Sequence, residues 1–174
     1  MSTIVRKIVA VHRAFEKAGL PHAFGGALAL AWCTEQARGT IDIDVNVFVD
    51  ASESRRVAGA LPKSIARSTA QLSALERDGQ VRLWWDRTPL DLFLDTTPFH
   101  RDVKQRCRLE AFGGTQVPFL SCLDIAVFKA FFDRTKDWAD LEEMQTAGTL
   151  DVPAVIAVLI EYLGADDQRI RRLG

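Results

Sequence analysis

The segment Thr40-Ile41-Asp42-Ile43-Asp44-Val45-Asn46 sets two carboxylates two residues apart inside a run of β-branched residues. Side chains alternate between the faces of a strand, so residues i and i+2 share one. Asp42 and Asp44 are therefore expected to project side by side, with Ile41, Ile43, Val45 and Val47 buried behind them. Carboxylates held that close repel each other unless a cation lies between them. Oxygen-only ligands suit Mg²⁺ or Mn²⁺ and the demands of phosphate chemistry. The same pattern also fits the wet face of a half-buried strand, which Asn46 would continue.

Other residues could join that chemistry. Gly25-Gly26 falls where a short apolar strand turns into an Ala- and Leu-rich helix. Glycine lets backbone approach a ligand, and a helix N-terminus offers free N–H groups, so the pair could cradle a phosphate or simply make a tight turn. Asp91 lies in Leu90-Asp91-Leu92-Phe93-Leu94, where the leucines take the core face and Asp91 and Asp95 the other. It is a candidate third metal ligand or a general base toward a hydroxyl. Arg38 could contact a phosphate and Thr40 could orient an Asp; both also suit an exposed loop. Lys129, Asp133, Lys136, Asp137 and Asp140 recur at helical spacing, with Lys129 set among Ile125, Val127, Phe128 and Phe131. A lysine there either snorkels outward or reaches into a cleft. A basic stretch over Arg101–Arg108 suits a solvated face or a polyanion such as tRNA, and His12, His22 and His100 form no metal-ligand pattern.

The elements that must hold these residues are legible from periodicity. A helix is expected over 3–18, where Ile4, Ile8, Val11 and Phe15 share a face, ended by Gly19 and Pro21. A strand at 22–24, a helix over 27–36 and the acidic strand over 40–49 follow. Beyond them come a helix from Ser52 to Leu61, helical character over 64–79, and strands at 81–85 and 90–94 joined by a turn at 86–89. The remainder reads as a helix over 98–106, two short strands split by Gly113-Gly114, and helices to Phe132, over 136–146 and over 152–163. That order describes an α+β core, a small mixed sheet with helices on one side, in a single domain over 1–174. Its core spans about 1–120, and residues 121–174 form a helical tail packed on it.

The totals narrow the classes. A chain of 174 residues, 48% hydrophobic and 26% charged, can bury a core and is not disordered. A net charge of −1 supplies no global field for nucleic acid. Three cysteines without a CxxC pair point to free thiols and a reducing compartment. No apolar run is long enough for a membrane span, and the periodic, charged N-terminus does not read as a signal peptide. A cytoplasmic protein is the expectation.

Together, Gly25-Gly26, Arg38-x-Thr40-x-Asp42-x-Asp44 and Asp91 resemble the polymerase-β nucleotidyltransferase superfamily. The closer resemblance is to its minimal bacterial branch, the abortive-infection nucleotidyltransferase toxins of type IV toxin–antitoxin pairs. Lys129 and the segment Arg134-Thr135-Lys136-Asp137-Trp138 through Leu141 are similar to that branch's C-terminal signature. The resemblance covers about residues 20–145 and implies a nucleotidyltransferase-like sheet. It implies a Mg²⁺- or Mn²⁺-dependent transfer of a nucleoside monophosphate from a nucleoside triphosphate to a hydroxyl of RNA, a small molecule or a protein. Asp42, Asp44 and Asp91 would then serve the metal, Gly25, Gly26, Arg38 and Thr40 the nucleotide, and Lys129 would reach the triphosphate while Asp137 orders the tail. A cognate antitoxin is the partner it implies. This sequence departs from the pattern at Gly26, where many members carry Ser, and in a slightly longer gap before Asp42. A non-catalytic nucleotide- or partner-binding module of the same fold is the alternative.

Overall fold

In the computed structural model, which describes residues 3–36 and 39–174, the central strands are the most deeply buried. The chain divides into two compact units: 1–26 with 39–120, and 27–38 with 121–174.

The first unit opens with α1 (Thr3–Lys17), whose buried stripe contains Ile8, Val11 and Phe15. Gly19, at φ +63°, reverses the chain, and the N–H of Leu20 returns to the carbonyl of Phe15 at 2.9 Å. β1 (His22–Phe24) follows, buried at every residue, and leads into α2 (Gly26–Thr34), most of which belongs to the second unit. β2 (Ile43–Asp50) is the strand next to β1. A 3₁₀ turn at Ala51–Glu53, capped by the Asp50 carboxylate accepting from the Ser52 N–H, precedes α3 (Ser54–Ala60). The expected Ser52 cap is thus displaced to Asp50, whose side chain reaches the donor first.

The helical character expected over 64–79 condenses to α4 (Thr69–Asp78), because Ser68 and Gln71 form a reciprocal capping box and Gly79 ends the helix at φ +67°. β3 (Gln80–Trp85) and β4 (Thr88–Asp95) form a hairpin around Asp86-Arg87, shorter than the expected four-residue turn because Asp86 takes a left-handed conformation at φ +54°. Lys7, buried on α1, holds that turn: its Nζ donates to the Trp85 carbonyl at 2.6 Å and to Thr88 Oγ1 at 3.0 Å, and lies 3.2 Å from Asp86 Oδ2. α5 (Pro98–Arg106), β5 (Arg108–Phe112) and β6 (Thr115–Phe119) complete the unit.

The six strands form one mixed sheet in the order β3-β4-β2-β1-β6-β5. β2 runs parallel to β4 and antiparallel to β1, while β1 runs parallel to β6. As an inner strand, β2 is covered on both faces over most of its length: Ile43, Val45 and Val47 are fully buried, and Asn46, Phe48 and Val49 nearly so. Only Asp44 interrupts the burial before Asp50. The polar face expected to continue through Asn46 therefore closes at Asn46. Ile41, expected behind the carboxylates, is 67% exposed, since it precedes the strand and escapes its alternation.

The second unit is helical: the body of α2 with α6 (Cys122–Phe132), α7 (Thr135–Thr146), α8 (Val152–Leu163) and α9 (Gln168–Leu173). Ala29, Leu30, Ile125, Ala130, Leu141, Met144, Val155 and Leu159 are its apolar interior. Cys33 and Cys122 form a disulfide with their Cα atoms 5.5 Å apart. This corrects the expectation of free thiols, which holds for Cys107 alone. The two half-cystines are 89 residues apart, so only packing of α2 beside α6 brings them together. With that pair oxidised, the cysteines no longer speak for a reducing compartment. No helix among the described residues is long and apolar enough to cross a membrane.

Candidate active site

The parallel pairing of β2 with β4 sets Asp44 directly beside Asp91, and their neighbours Ile43 and Leu90 beside each other. Residues in register on adjacent strands point to the same face. Asp42 stands one residue before β2, half-buried like Asp44, with fully buried Ile43 between them. The hydroxyl of Thr40 accepts from the Asp42 N–H at 3.1 Å and so orients its backbone. Arg38 lies outside the described residues.

The Gly-Gly turn meets the same strand. The N–H of Gly25 donates to the Asp44 carbonyl at 2.9 Å. Gly26 has φ +57°, and a Cβ there would collide with Asp44 Oδ2 and lie 2.6 Å from its Cγ. The Asp44 carboxylate thus rests on the bare Cα of Gly26, an approach closed to any residue with a side chain. A Cβ on Gly25 would meet Leu120 Cδ1 at 3.1 Å and Asn46 Nδ2 at 3.4 Å.

Asp91 has a partner that inspection of the sequence missed. Arg82 faces it across the β3–β4 hairpin. The guanidinium donates from Nε to Oδ1 at 2.7 Å and from a terminal nitrogen to Oδ2 at 2.6 Å. These bonds and the Asp91 charge, with Asp42 and Asp44 adding to the field, raise the pKa of Arg82 further above its ordinary value. One cation therefore sits within the field of all three carboxylates. The hairpin register carries the signal that could have found it, once a two-residue turn is placed at Asp86-Arg87.

The all-oxygen donor set of Asp42 and Asp44 suits a hard divalent ion, and the cluster already attracts a positive group in Arg82. Among the described residues, however, no three acidic, His or Cys groups are arranged to hold a metal ion, and Asp91 gives both its oxygens to Arg82. In donor chemistry, then, Asp42 and Asp44 fit such an ion, with no third ligand arranged beside them among the described residues.

Lys129 and Asp137 belong to the second unit. The Lys129 ammonium lies 2.5 Å from Asp140 and 3.5 Å from Asp137. Arg134 Nε donates to Asp137 at 2.6 Å. Burial pushes the Asp137 carboxyl up, but the Arg134 bonds and the Lys129 charge outweigh it and hold the pKa below its usual value. Helical spacing anticipated the stripe. Asp133, at φ +54°, breaks the helix within it and accepts the Trp138 indole N–H at 2.7 Å.

No family model matches the chain, and no curated protein does. Among solved structures, it is similar to ANT(2")-Ia in complex with adenylyl-2"-tobramycin: 16% identity, 90% of this chain and 95% of that one covered, TM-score 0.62. The solution structure of the antibiotic-resistance factor ANT(2'')-Ia is similar at 15% identity, 91% and 90% coverage, and a TM-score of 0.61. The lincomycin-bound lincosamide antibiotic adenylyltransferase LnuA follows at 13% identity, 82% and 96% coverage, and 0.55. Sequence identity this low speaks to architecture alone. The mixed sheet that carries Asp44 and Asp91, with Asp42 just before it, thus belongs to a nucleotidyltransferase-like fold.

Proposed function

We propose that this chain transfers a nucleoside monophosphate from a nucleoside triphosphate, ATP by analogy with its structural neighbours, to a hydroxyl of a small molecule. The observation that carries the reading is the register of Asp44 with Asp91 beside the Gly25-Gly26 turn, within a nucleotidyltransferase-like fold.

Asp42 and Asp44 would hold a divalent ion, Mg²⁺ or Mn²⁺, which would supply charge neutralisation on the triphosphate when bound. The Gly25-Gly26 turn, at the start of α2, receives a phosphate on the side turned away from the Asp44 carboxylate, which covers the Cα of Gly26. Asp91 completes the metal site or accepts the proton of the attacking hydroxyl. The acceptor oxygen bonds to the α-phosphorus, the bond to the β-phosphate oxygen breaks, and pyrophosphate leaves. Thr40 keeps Asp42 oriented through its N–H.

The near-neutral charge favours a small acceptor over a large polyanion. Similarity to an antibiotic-resistance factor bound to adenylyl-2"-tobramycin and to a lincosamide antibiotic adenylyltransferase supports the same choice. Exposed Arg101 and Lys104 on α5 favour a second reading, in which tRNA is the acceptor and the chain is a toxin with an antitoxin partner in the cytoplasm.

The test is transfer of label from α-labelled ATP with Mg²⁺, offered tobramycin, lincomycin and total tRNA separately. Label on a small molecule that disappears in Asp42→Ala, with the fold intact, is the expected result. Label on tRNA alone would replace the first reading with the second. Nucleotide binding without transfer to any of the three would leave a non-catalytic module. Full transfer by Asp42→Ala would remove that residue from the mechanism.

A further inference from the structure

The hairpin register fixes Arg82 opposite Asp91. Its backbone carbonyl accepts from the Gln71 side-chain amide at 3.0 Å, and Gln71 is itself tied into the capping box of α4. Trp84, two residues on, is bridged by Ala66. The edge strand is thus pinned at Arg82 and at Trp84.

The pair is lopsided in burial: the Arg82 side chain is 53% exposed and that of Asp91 16%. Exposed ion pairs usually contribute little, and the two-pronged Arg–carboxylate geometry is the exception. The guanidinium also lies in the field of Asp42 and Asp44, so it answers the charge of the whole cluster.

We propose that Arg82 is a resident counter-cation which positions Asp91 in the metal-free protein and competes with a divalent ion for the acidic cluster. The proposal rests on the transfer reading above for the use of the cluster, but not for the competition itself. Both oxygens of Asp91 are held by the guanidinium fork, which leaves one lone pair on each and offsets the carboxylate charge that would draw a metal ion or a proton. With more than half its surface in solvent, the released side chain has room to swing toward an anionic substrate. Arg82 is thus a positioning residue for Asp91, whose hold weakens metal loading until a phosphate offers the guanidinium another partner.

The experiment is calorimetric titration of Mn²⁺ alone into the full chain: wild type, Arg82→Gln, Arg82→Lys, and Arg82→Gln combined with Asp42→Ala. Loss of a charge-assisted, two-bond competitor should tighten Mn²⁺ binding in Arg82→Gln by about tenfold. Arg82→Lys keeps the charge without the fork and should fall between the two. The added Asp42→Ala change should cancel the gain, which locates the ion at the cluster. Should Arg82→Gln not fold, the gain in Arg82→Lys decides. Equal or weaker binding in the folded variants, or no Mn²⁺ binding by any of them, overturns the proposal. Wild-type transfer with no gain in Arg82→Gln sinks the counter-cation alone. A gain without transfer by the wild type sinks the transfer reading and leaves the counter-cation standing.

Discussion

Gly26→Ala tests the closest approach in the site. At φ +57° a side chain strains the backbone by about 1–2 kcal/mol. The added methyl also collides with Asp44 Oδ2, and neither backbone can give way: Gly25 N–H is bonded to the Asp44 carbonyl and Ile43 and Val45 are fully buried. Overpacking of this kind costs roughly 1–3 kcal/mol. A total near 3 kcal/mol in a chain of this size corresponds to a fall in melting temperature of roughly 6–12 °C. Asp44 must turn off Gly26 to admit the methyl, so any folded Gly26→Ala should also lose Mn²⁺ binding. Two substitutions calibrate the result. Gly25→Ala meets Leu120 Cδ1 at 3.1 Å and Asn46 Nδ2 at 3.4 Å without a left-handed backbone to strain, and should cost less. Gly59→Ala, in α3 with nothing within 4 Å, should raise stability by about 0.5 kcal/mol. The measurement is thermal unfolding followed by circular dichroism, with calorimetric Mn²⁺ titration on the same samples. A Gly26→Ala protein that melts within about 1 °C of wild type would refute the seating of Asp44 on Gly26.

Acid should weaken the fold through His22. Its Nδ1 faces the Leu20 carbonyl at 2.8 Å and so carries the proton, its Nε2 accepts from His12, and burial lowers its pKa to about 4. The unfolded chain takes up that proton below the ordinary value of 6.5 and the folded chain does not, so stability present above 6.5 drains as pH falls toward about 4. Between pH 7 and pH 5 the loss from His22 is about 2 kcal/mol, readable in urea unfolding. Asp95 works in the other direction: burial raises its pKa to about 6, so its stabilisation exists at low pH and fades as pH rises through that value. Asp95→Asn should therefore make the acid loss steeper, and superimposable pH curves for variant and wild type would contradict this assignment. Lys129→Ala strips a cation from nearly buried Asp137 and Asp140. Arg134 still holds Asp137, so the expected cost is about 3 kcal/mol in denaturant unfolding, and a cost below about 1 would mean the cluster is an ordinary surface pair.

What stands along a single strand or helix is legible in the amino-acid sequence alone. Alternation sets Asp44 apart from Ile43 and Val45, and Asp91 apart from Leu90 and Leu92, because the two-residue period of a strand is a local property of the backbone, whereas Asp42 precedes β2 and lies outside that period. Gly25-Gly26 announces a turn for the same reason. Helical spacing gathers Lys129, Asp137 and Asp140, although Asp133 breaks the helix between them. Tertiary structure alone decides what crosses from one element to another. Which strand lies beside β2 makes Asp44 the neighbour of Asp91, and a hairpin closed one way and not another puts Arg82 on Asp91. The approach of Asp44 to Gly26, and of Cys33 to Cys122 across 89 residues, likewise follows from packing. A one-dimensional pattern reports the face on which a side chain stands; partners are chosen by the free energy of burying whole faces together, which no short window of sequence contains.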